Sequence, residues 1–247
     1  GRGRDHINTY SSLPSLVNIS GICDVNQAAV ERGQATVKRA TNEAPKGYED
    51  MRKLFEDKNV DAVSMPLPNH WHALASIWAI QAGKDVYVEK PVSHNVWEGR
   101  QIVKAARKYG KIVQTGTQSR SSRTGIAEAV KWVQAGNLGK ILVSRGLCYK
   151  KRGSIGKSGG EQPVPDSVDF DLWCGPAPKI PYSPQVGHKN WRLEQTTGHG
   201  HVLEEQQLLH KSLFGGHGPV GVEEEARHQG EAGQHQRRDA GAEAEQQ

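Results

Sequence analysis

A glutamate and a lysine that stand directly before a proline are the side chains best placed for chemistry. Glu89, Lys90 and Pro91 follow the short β-branched and aromatic run 85–88, whose composition is typical of a strand buried in a parallel sheet. Ligands bind outside the carboxyl ends of such strands, so this pair is positioned for polar or acid–base work. A solvated charge pair that merely closes a strand is the alternative, and spacing alone does not decide between them.

Two glycines at the start of the chain have the spacing of a dinucleotide-binding turn. Gly1 and Gly3 would allow the backbone to approach a pyrophosphate at the N-terminus of the following helix. Asp24 follows roughly twenty residues later, where a carboxylate accepts hydrogen bonds from the adenosine ribose and repels a 2′-phosphate. This combination predicts NAD, with NADP disfavoured. Because no strand precedes Gly1, we expect a chain that is truncated at its N-terminus and lacks the first strand of the fold.

The elements that position these residues alternate between helix and strand, which predicts an α/β doubly wound parallel sheet. The predicted helices are 26–41, 48–57, 70–82 and 95–109, and the predicted strands include 61–65, the run before Glu89, and 111–114. Asn69 is the expected N-cap of the third helix, and Gly83 is its expected C-cap. Asn95 and Glu98 have capping-box spacing.

Several motifs together resemble the Gfo/Idh/MocA family of NAD(P)-dependent oxidoreductases, which includes glucose-fructose oxidoreductase and inositol dehydrogenase. The motifs are Cys-Asp-Val-Asn at 23–26, Pro-Asn-His-Trp-His at 68–72, Glu-Lys-Pro at 89–91, Thr-Gly-Thr-Gln at 115–118, and Asp-Leu-Trp-Cys-Gly-Pro-Ala-Pro at 171–178. The resemblance covers about residues 1 to 200. It implies an oxidoreductase that transfers a hydride between a nicotinamide cofactor and a sugar or polyol.

The resemblance also implies individual roles. Lys90 would polarise or hydrogen-bond the reacting oxygen, and Glu89 would orient Lys90 or touch the cofactor. The implied cofactor-binding residues are Gly1, Gly3, Asp24, Pro68, Asn69, His72, Glu89, Lys90 and Gln118. His70 and His72 at i and i+2 do not share a helix face, so this pair does not predict a metal site. A capped helix start with a surface histidine is the alternative for the motif at 68–72.

The end of the chain departs from the family pattern. A Gly-x-Gly pair in the family precedes an aspartate and then a histidine assigned to proton transfer. Gly198 and Gly200 match the pair, but Glu204 and Leu208 stand at the next two positions, and His210 comes two residues late. A frameshift near residue 202 or a divergent tail would explain this, and we expect weak or absent turnover. A non-catalytic or decayed nucleotide-binding fragment is the alternative function.

The domain organisation follows from these patterns. We predict an NAD(P)-binding Rossmann-like domain at 1–119, a partial α+β domain at 120–202, and a disordered or frameshifted tail at 203–247, where Phe214 is the last aromatic residue. A helix at 124–135 and a strand at 141–149 would begin the second domain. The basic segment 151–157 lacks phosphate-loop spacing and is predicted to be a surface loop. The loop at 169–178 could line a sugar site or serve packing.

Composition excludes several classes of protein. The net charge is +5, with 32 basic and 27 acidic residues interspersed, which does not predict a nucleic-acid partner. Three cysteines without C-x-x-C spacing predict neither disulfides nor zinc. No apolar run predicts a membrane partner. The cytoplasm is the default location, with periplasmic export open if a signal is missing. Family members form homo-oligomers, which is doubtful for this chain.

Overall fold

The computed structural model describes residues 1–118, 121, 124–147 and 160–184. These residues belong to two compact units, of which the second contains 124–146 and the first contains the rest. The helices are α1 Arg2–Ser11, α2 Gln27–Thr41, α3 Met51–Glu56, α4 Asn69–Gln81, α5 Val96–Tyr109, α6 Ile126–Gln134 and α7 Phe170–Cys174. The strands are β1 Gly21–Cys23, β2 Lys46–Tyr48, β3 Ala62–Met65, β4 Asp85–Glu89 and β5 Val113–Gly116.

All strand pairs in the described part of the chain are parallel. β1 pairs with β2, and a second sheet has the order β3-β4-β5. Its register pairs Met65 with Val88 and Glu89 with Gly116. The strands therefore end together, and the turns after β3 and β4 meet at one edge. This arrangement of parallel strands joined through helices confirms the predicted Rossmann-type fold.

The core lies between the three-stranded sheet and two helices. Val63 and Met65 of β3 and Val86 and Val88 of β4 are buried on one sheet face, where α4 and α5 cover them. Each such valine stabilises the fold by about 1.5–3 kcal/mol. Nine of the thirteen residues of α4 are buried, so this helix is enclosed around most of its circumference. Its N-terminus is consequently fixed in position beside the sheet edge.

The predicted boundaries hold where side chains cap the helices. Asn26 accepts a hydrogen bond from the Ala29 N–H and begins α2. Asn95 accepts from the Glu98 N–H at 2.9 Å, and its amide donates to the Glu98 carboxylate. Gly110 ends α5 in the left-handed conformation at φ 63°. The capping-box prediction at the start of α5 is therefore confirmed.

Other predicted boundaries are wrong, and those at residues 48 and 115 are wrong because short-range patterns missed tertiary pairing. The helix predicted at 48–57 begins only at Met51, since Tyr48 belongs to β2 and pairs with β1. Asn69 is the first residue of α4 and Pro68 holds the N-cap position, while Ala82, not Gly83, is the C-cap. The turn predicted at 115–118 begins later, because Thr115 and Gly116 pair with β4.

The second unit contains one described helix. α6 Ile126–Gln134 is shorter than the predicted 124–135, with Ala135 as its C-cap, and the Asn137 amide donates to the Trp132 carbonyl. The strand predicted at 141–149 is not formed over 141–147, where no described segment offers a partner for a ladder. Residues 148–149, the segment 151–157, the motif 198–200 and the tail 203–247 lie outside the described residues.

The described residues form neither a membrane-spanning helix nor a metal-binding group. None of their helices is long and apolar enough to cross a membrane. They also contain no group of three or more histidine, cysteine, aspartate or glutamate side chains arranged to hold a metal ion.

Removing the cap of α5 tests how this helix is held. Asn95→Ala should lower the free energy of unfolding by about 1 kcal/mol, because the N–H of Glu98 loses its acceptor and the Glu98 carboxylate loses a donor. Urea unfolding monitored by circular dichroism would measure the change. Lys104→Ala, at an exposed position within the same helix, is the matched control and should be close to neutral. Equal effects of the two substitutions would contradict the capping role.

Candidate functional site

The Glu89 carboxylate at the end of β4 is the centre of a polar cluster. Its side chain is only 7% exposed, and one oxygen, Oε1, receives three contacts. Arg2 Nε donates to it at 3.2 Å, His6 Nε2 lies at 2.9 Å, and the Gln118 amide donates from the turn after β5. Arg2 and His6 are four residues apart on α1, so they present one helix face to the carboxylate. Glu89 thus fastens the start of α1 to the sheet.

A second layer of hydrogen bonds orients His6. A carboxylate can only accept, so His6 Nε2 carries the proton that faces Glu89. The other ring nitrogen, Nδ1, lies 2.8 Å from Ser64 Oγ on β3, and the Tyr10 hydroxyl lies 3.3 Å from the same oxygen. Ser64 occupies the face of β3 opposite to the apolar core, because side chains alternate along the strand. The polar cluster therefore fills the sheet face that α1 covers.

The cluster keeps Glu89 ionised. Burial alone favours the neutral acid and raises its pKa, but the hydrogen bonds and charges of His6 and Arg2 outweigh burial, and the pKa of Glu89 lies below its ordinary value. An ionised carboxylate with three donors on one oxygen is an anchor. It is poorly suited to give a proton to a substrate at neutral pH.

The glycines predicted to bind phosphate lie at the start of α1. Gly1 is the N-cap position and Gly3 lies in the first turn. A β-carbon on Gly3 would lie 3.3 Å from the Pro66 ring, so this part of the helix approaches the turn after β3 closely. The N-terminal turn of α1 therefore lies near both strand ends that carry predicted site residues.

Asp24 stands directly after β1, as the motif predicts. The residue is exposed, its N–H donates to the Tyr48 carbonyl at 3.2 Å, and one carboxylate oxygen accepts from the Asn26 N–H at 2.9 Å. This local hydrogen bond fixes the direction of the side chain at the carboxyl end of the strand. An exposed, oriented carboxylate is chemically suited to accept hydrogen bonds from vicinal ribose hydroxyls.

The motif at 68–72 forms the first turn of α4 and is buried. Asn69 and His72 are each 1% exposed and His70 is 6% exposed, so neither histidine is the surface residue of the alternative interpretation. His72 Nδ1 lies 2.5 Å from the Pro91 carbonyl oxygen, and Nε2 lies 2.8 Å from the Leu67 carbonyl oxygen. Burial lowers the pKa of His72 below its ordinary value, against the opposing effect of these two carbonyls.

Lys90 is half-buried at the turn after β4. It follows the anchored Glu89 and precedes Pro91, whose carbonyl meets His72. No hydrogen bond or ion pair joins the Lys90 ammonium to the described part of the chain.

The aromatic segment around Trp173 is packed against α4. Its predicted loop contains a short helix, α7, which Asp169 caps by accepting from the Leu172 N–H. The Trp71 indole N–H contacts the carbonyl oxygens of Leu172 and Trp173, both at 3.0 Å, and His70 Nε2 lies 3.0 Å from the Trp173 carbonyl oxygen. These hydrogen bonds, with a ring contact between His70 and Trp173, attach the segment to α4.

The sequence did not single out Arg2, His6 or Trp71. The spacing of Arg2 and His6 at i and i+4 could have indicated a shared polar face, but their partner Glu89 is more than eighty positions away. Trp71 carried no signal beyond its place inside a motif. The structure brings Gln118 to Glu89, places Gly3 beside Pro66, and holds His72 against the turn after β4.

Comparisons with known proteins agree with this architecture. Residues 1–117 match the GFO_IDH_MocA model, described as an oxidoreductase family with an NAD-binding Rossmann fold. An inositol 2-dehydrogenase of Salmonella typhimurium is 30% identical over 148 residues, which cover 60% of this chain and 43% of that protein. A glycosyl hydrolase family 109 protein of a Shewanella species is 32% identical over 114 residues, 44% of this chain and 25% of that protein.

A solved structure shows the same fold. Scyllo-inositol dehydrogenase from Lactobacillus casei, with bound NAD(H) and scyllo-inositol, matches 56% of this chain and 40% of that chain at 20% identity and a TM-score of 0.50. The chain thus spans less than half the length of these relatives.

The ionised state of Glu89 predicts how stability depends on pH. Because the folded-state pKa lies below the ordinary 4.5, the unfolded chain takes up the proton first as the pH falls. The stabilisation by Glu89 is therefore complete above about pH 4.5 and is lost below it. Glu89→Gln should lower the free energy of unfolding by about 1–3 kcal/mol at pH 7. In urea titrations at different pH values, it should also reduce the loss of stability below about pH 4.5, which we call the acid limb.

The matched control for this substitution is Glu56→Gln, whose side chain is 65% exposed. It should leave the acid limb unchanged. An unchanged acid limb in Glu89→Gln as well would show that another carboxylate governs the loss of stability.

Proposed function

We propose, on the premise that residues 1–117 are the NAD-binding Rossmann region of a Gfo/Idh/MocA oxidoreductase, that this chain binds NAD and serves hydride transfer with a sugar or polyol. The observation that supports this best is the cluster on Glu89. It ties the turn predicted to hold the pyrophosphate to the strand end that carries Lys90. A dinucleotide must bridge these two places, because its phosphates and its reactive ring lie at different positions along one molecule.

Each residue then has a defined task. The Asp24 carboxylate accepts from the adenosine ribose, and Gly1 and Gly3 let the α1 N-terminus approach the phosphates. Pro68 and Asn69 border the nicotinamide side together with His72, and Gln118 holds Glu89 from the turn after β5. Bound NAD supplies the hydride acceptor. Lys90 donates a hydrogen bond to the substrate oxygen and stabilises negative charge that develops there.

This chain lacks a histidine at the position that the family pattern assigns to proton transfer. Leu208 stands where the family pattern has a histidine, and it lies outside the described residues. We therefore propose that NAD binding is retained while turnover is weak. The same proposal includes the domain limits at 119 and 202 and the sugar or polyol substrate. It also includes the expectation that this chain does not form the homo-oligomer of the family.

A nucleotide-binding module without catalysis is the second candidate. It is favoured by the unmatched histidine and by the range of relatives, since proteins named as a dehydrogenase and as a glycosyl hydrolase match this chain over 148 and 114 residues. The family model covers the nucleotide-binding region, residues 1–117, which by itself specifies no reaction.

Calorimetric titration of the purified chain with NAD and NADP tests the cofactor. We expect a micromolar Kd for NAD, which corresponds to a binding free energy of about −8 kcal/mol. NADP should bind more weakly because Asp24 repels the 2′-phosphate. Asp24→Asn should lower the ratio of NAD affinity to NADP affinity about tenfold. Glu43→Gln, at another exposed carboxylate, should leave it unchanged. If neither cofactor binds, the proposed function is wrong for this chain.

Substitution of Lys90 separates the two candidate functions. In an enzyme, Lys90→Met should lower the rate of NAD reduction with a responsive sugar or polyol at least a hundredfold and leave NAD affinity within a few-fold, because the ammonium acts on the substrate oxygen. The matched control is Lys104→Met, which changes an exposed lysine and should leave the rate unchanged. Lys84 is buried and is therefore unsuitable as a control. A wild-type chain that binds NAD but reduces none of it supports the non-catalytic module.

A further inference from the structure

The contacts of His72 point to a role that differs from direct cofactor binding. The ring belongs to the first turns of α4 and is 1% exposed. Both of its nitrogens face backbone carbonyl oxygens, which cannot donate hydrogen bonds. Neither nitrogen therefore has a free position for a ligand.

The two carbonyls belong to the two turns that matter most for the site. Leu67 lies in the turn between β3 and α4, immediately before Pro68 and Asn69, and Pro91 lies in the turn after β4, immediately after Lys90. β3 and β4 are adjacent and in parallel register. A ring held between the two turns therefore sets how far apart Asn69 and Lys90 are.

Only one of the two ring contacts, the one with the Pro91 carbonyl, is assigned the N–H that holds the two turns together. A buried neutral imidazole has a single N–H, and the Nδ1 contact with Pro91 at 2.5 Å is shorter than the Nε2 contact with Leu67 at 2.8 Å. Burial lowers the pKa of His72, which favours this neutral ring, while Glu89 on β4 opposes the effect and His70 on α4 adds to it. The Nδ1–H is accordingly assigned to the Pro91 carbonyl.

We propose that His72 is a positioning residue: its Nδ1–H holds the Pro91 carbonyl, and through it the turn that presents Lys90, against the start of α4. This inference rests on the proposed NAD site, and it changes the part that His72 has there. The ring acts through Pro91 and makes no contact with the cofactor itself. Lys90 depends on this hydrogen bond because its neighbour Glu89 is fixed on the opposite side, toward α1.

Three substitutions separate the two ring nitrogens. Asparagine carries its amide N–H at the δ position, like Nδ1, glutamine carries it at the ε position, like Nε2, and phenylalanine has no donor. His72→Asn should keep the ratio of NAD affinity to ADP-ribose affinity within about twofold. His72→Gln and His72→Phe should lower this ratio about tenfold, because the backbone of the turn after β4 is then no longer held against Asn69 on the nicotinamide side. Calorimetry with both ligands measures the ratio.

Controls distinguish positioning from general stability. Ile80→Val, fully buried further along α4, should lower the melting temperature without changing the ratio. If all His72 variants weaken NAD and ADP-ribose equally, in step with their melting temperatures, His72 is only a core residue and the proposal is overturned.

A ligand-free measurement keeps this test separate from the proposed function. Long-range ¹H–¹⁵N spectra of histidine-labelled wild-type protein should show a His72 Nδ1–H that is protected from solvent exchange. A ring protonated only at Nε2 overturns the proposal even if NAD binds. A wild-type chain that binds neither ligand contradicts the NAD site alone, and the protected Nδ1–H then still decides whether His72 holds Pro91.

Discussion

The buried charge of Glu89 is the constraint on which the site depends. A carboxylate removed from water is costly unless donors replace the lost hydration, and here the donors come from Arg2 and His6 on α1 and from Gln118 after β5. The sheet face beneath α1 is polar for the same reason: Ser64 Oγ meets His6 Nδ1, and the Tyr10 hydroxyl contacts the same Ser64 oxygen. The helix start and the strand end cannot move independently while this charge is satisfied.

The opposite face of the same sheet is held by different forces. There the valines of β3 and β4 pack against α4 and α5, and helix α4 is enclosed around most of its circumference. The site residues thus lie where an apolar core fixes one side of each strand and a charge cluster fixes the other. Lys90 lies at this junction, between Glu89 and the turn whose carbonyl meets His72. Its position is set by both neighbours.

The sequence predicted the fold well where periodicity and caps are local. Asn95 with Glu98 and the acidic residue after β1 were located correctly, since each signal lies within a few residues. β2 was missed because three residues carry no periodicity and form a strand only through pairing with β1. Arg2 and His6 were missed because their partner is distant in sequence, and α7 was missed because an aspartate cap at the start of an aromatic run also fits a loop.

The fit between Trp71 and Gly175 has a consequence for how related sequences can diverge. A β-carbon at position 175 would lie 2.0 Å from the indole of Trp71, and the backbone there has a φ of 50°. A larger residue at 175 requires a smaller side chain at 71, and that exchange gives up the indole N–H that contacts the carbonyls of Leu172 and Trp173. The two positions are therefore expected to change together. A lineage that loses the tryptophan removes the clash and the attachment of the segment to α4, but the positive φ still favours glycine at 175.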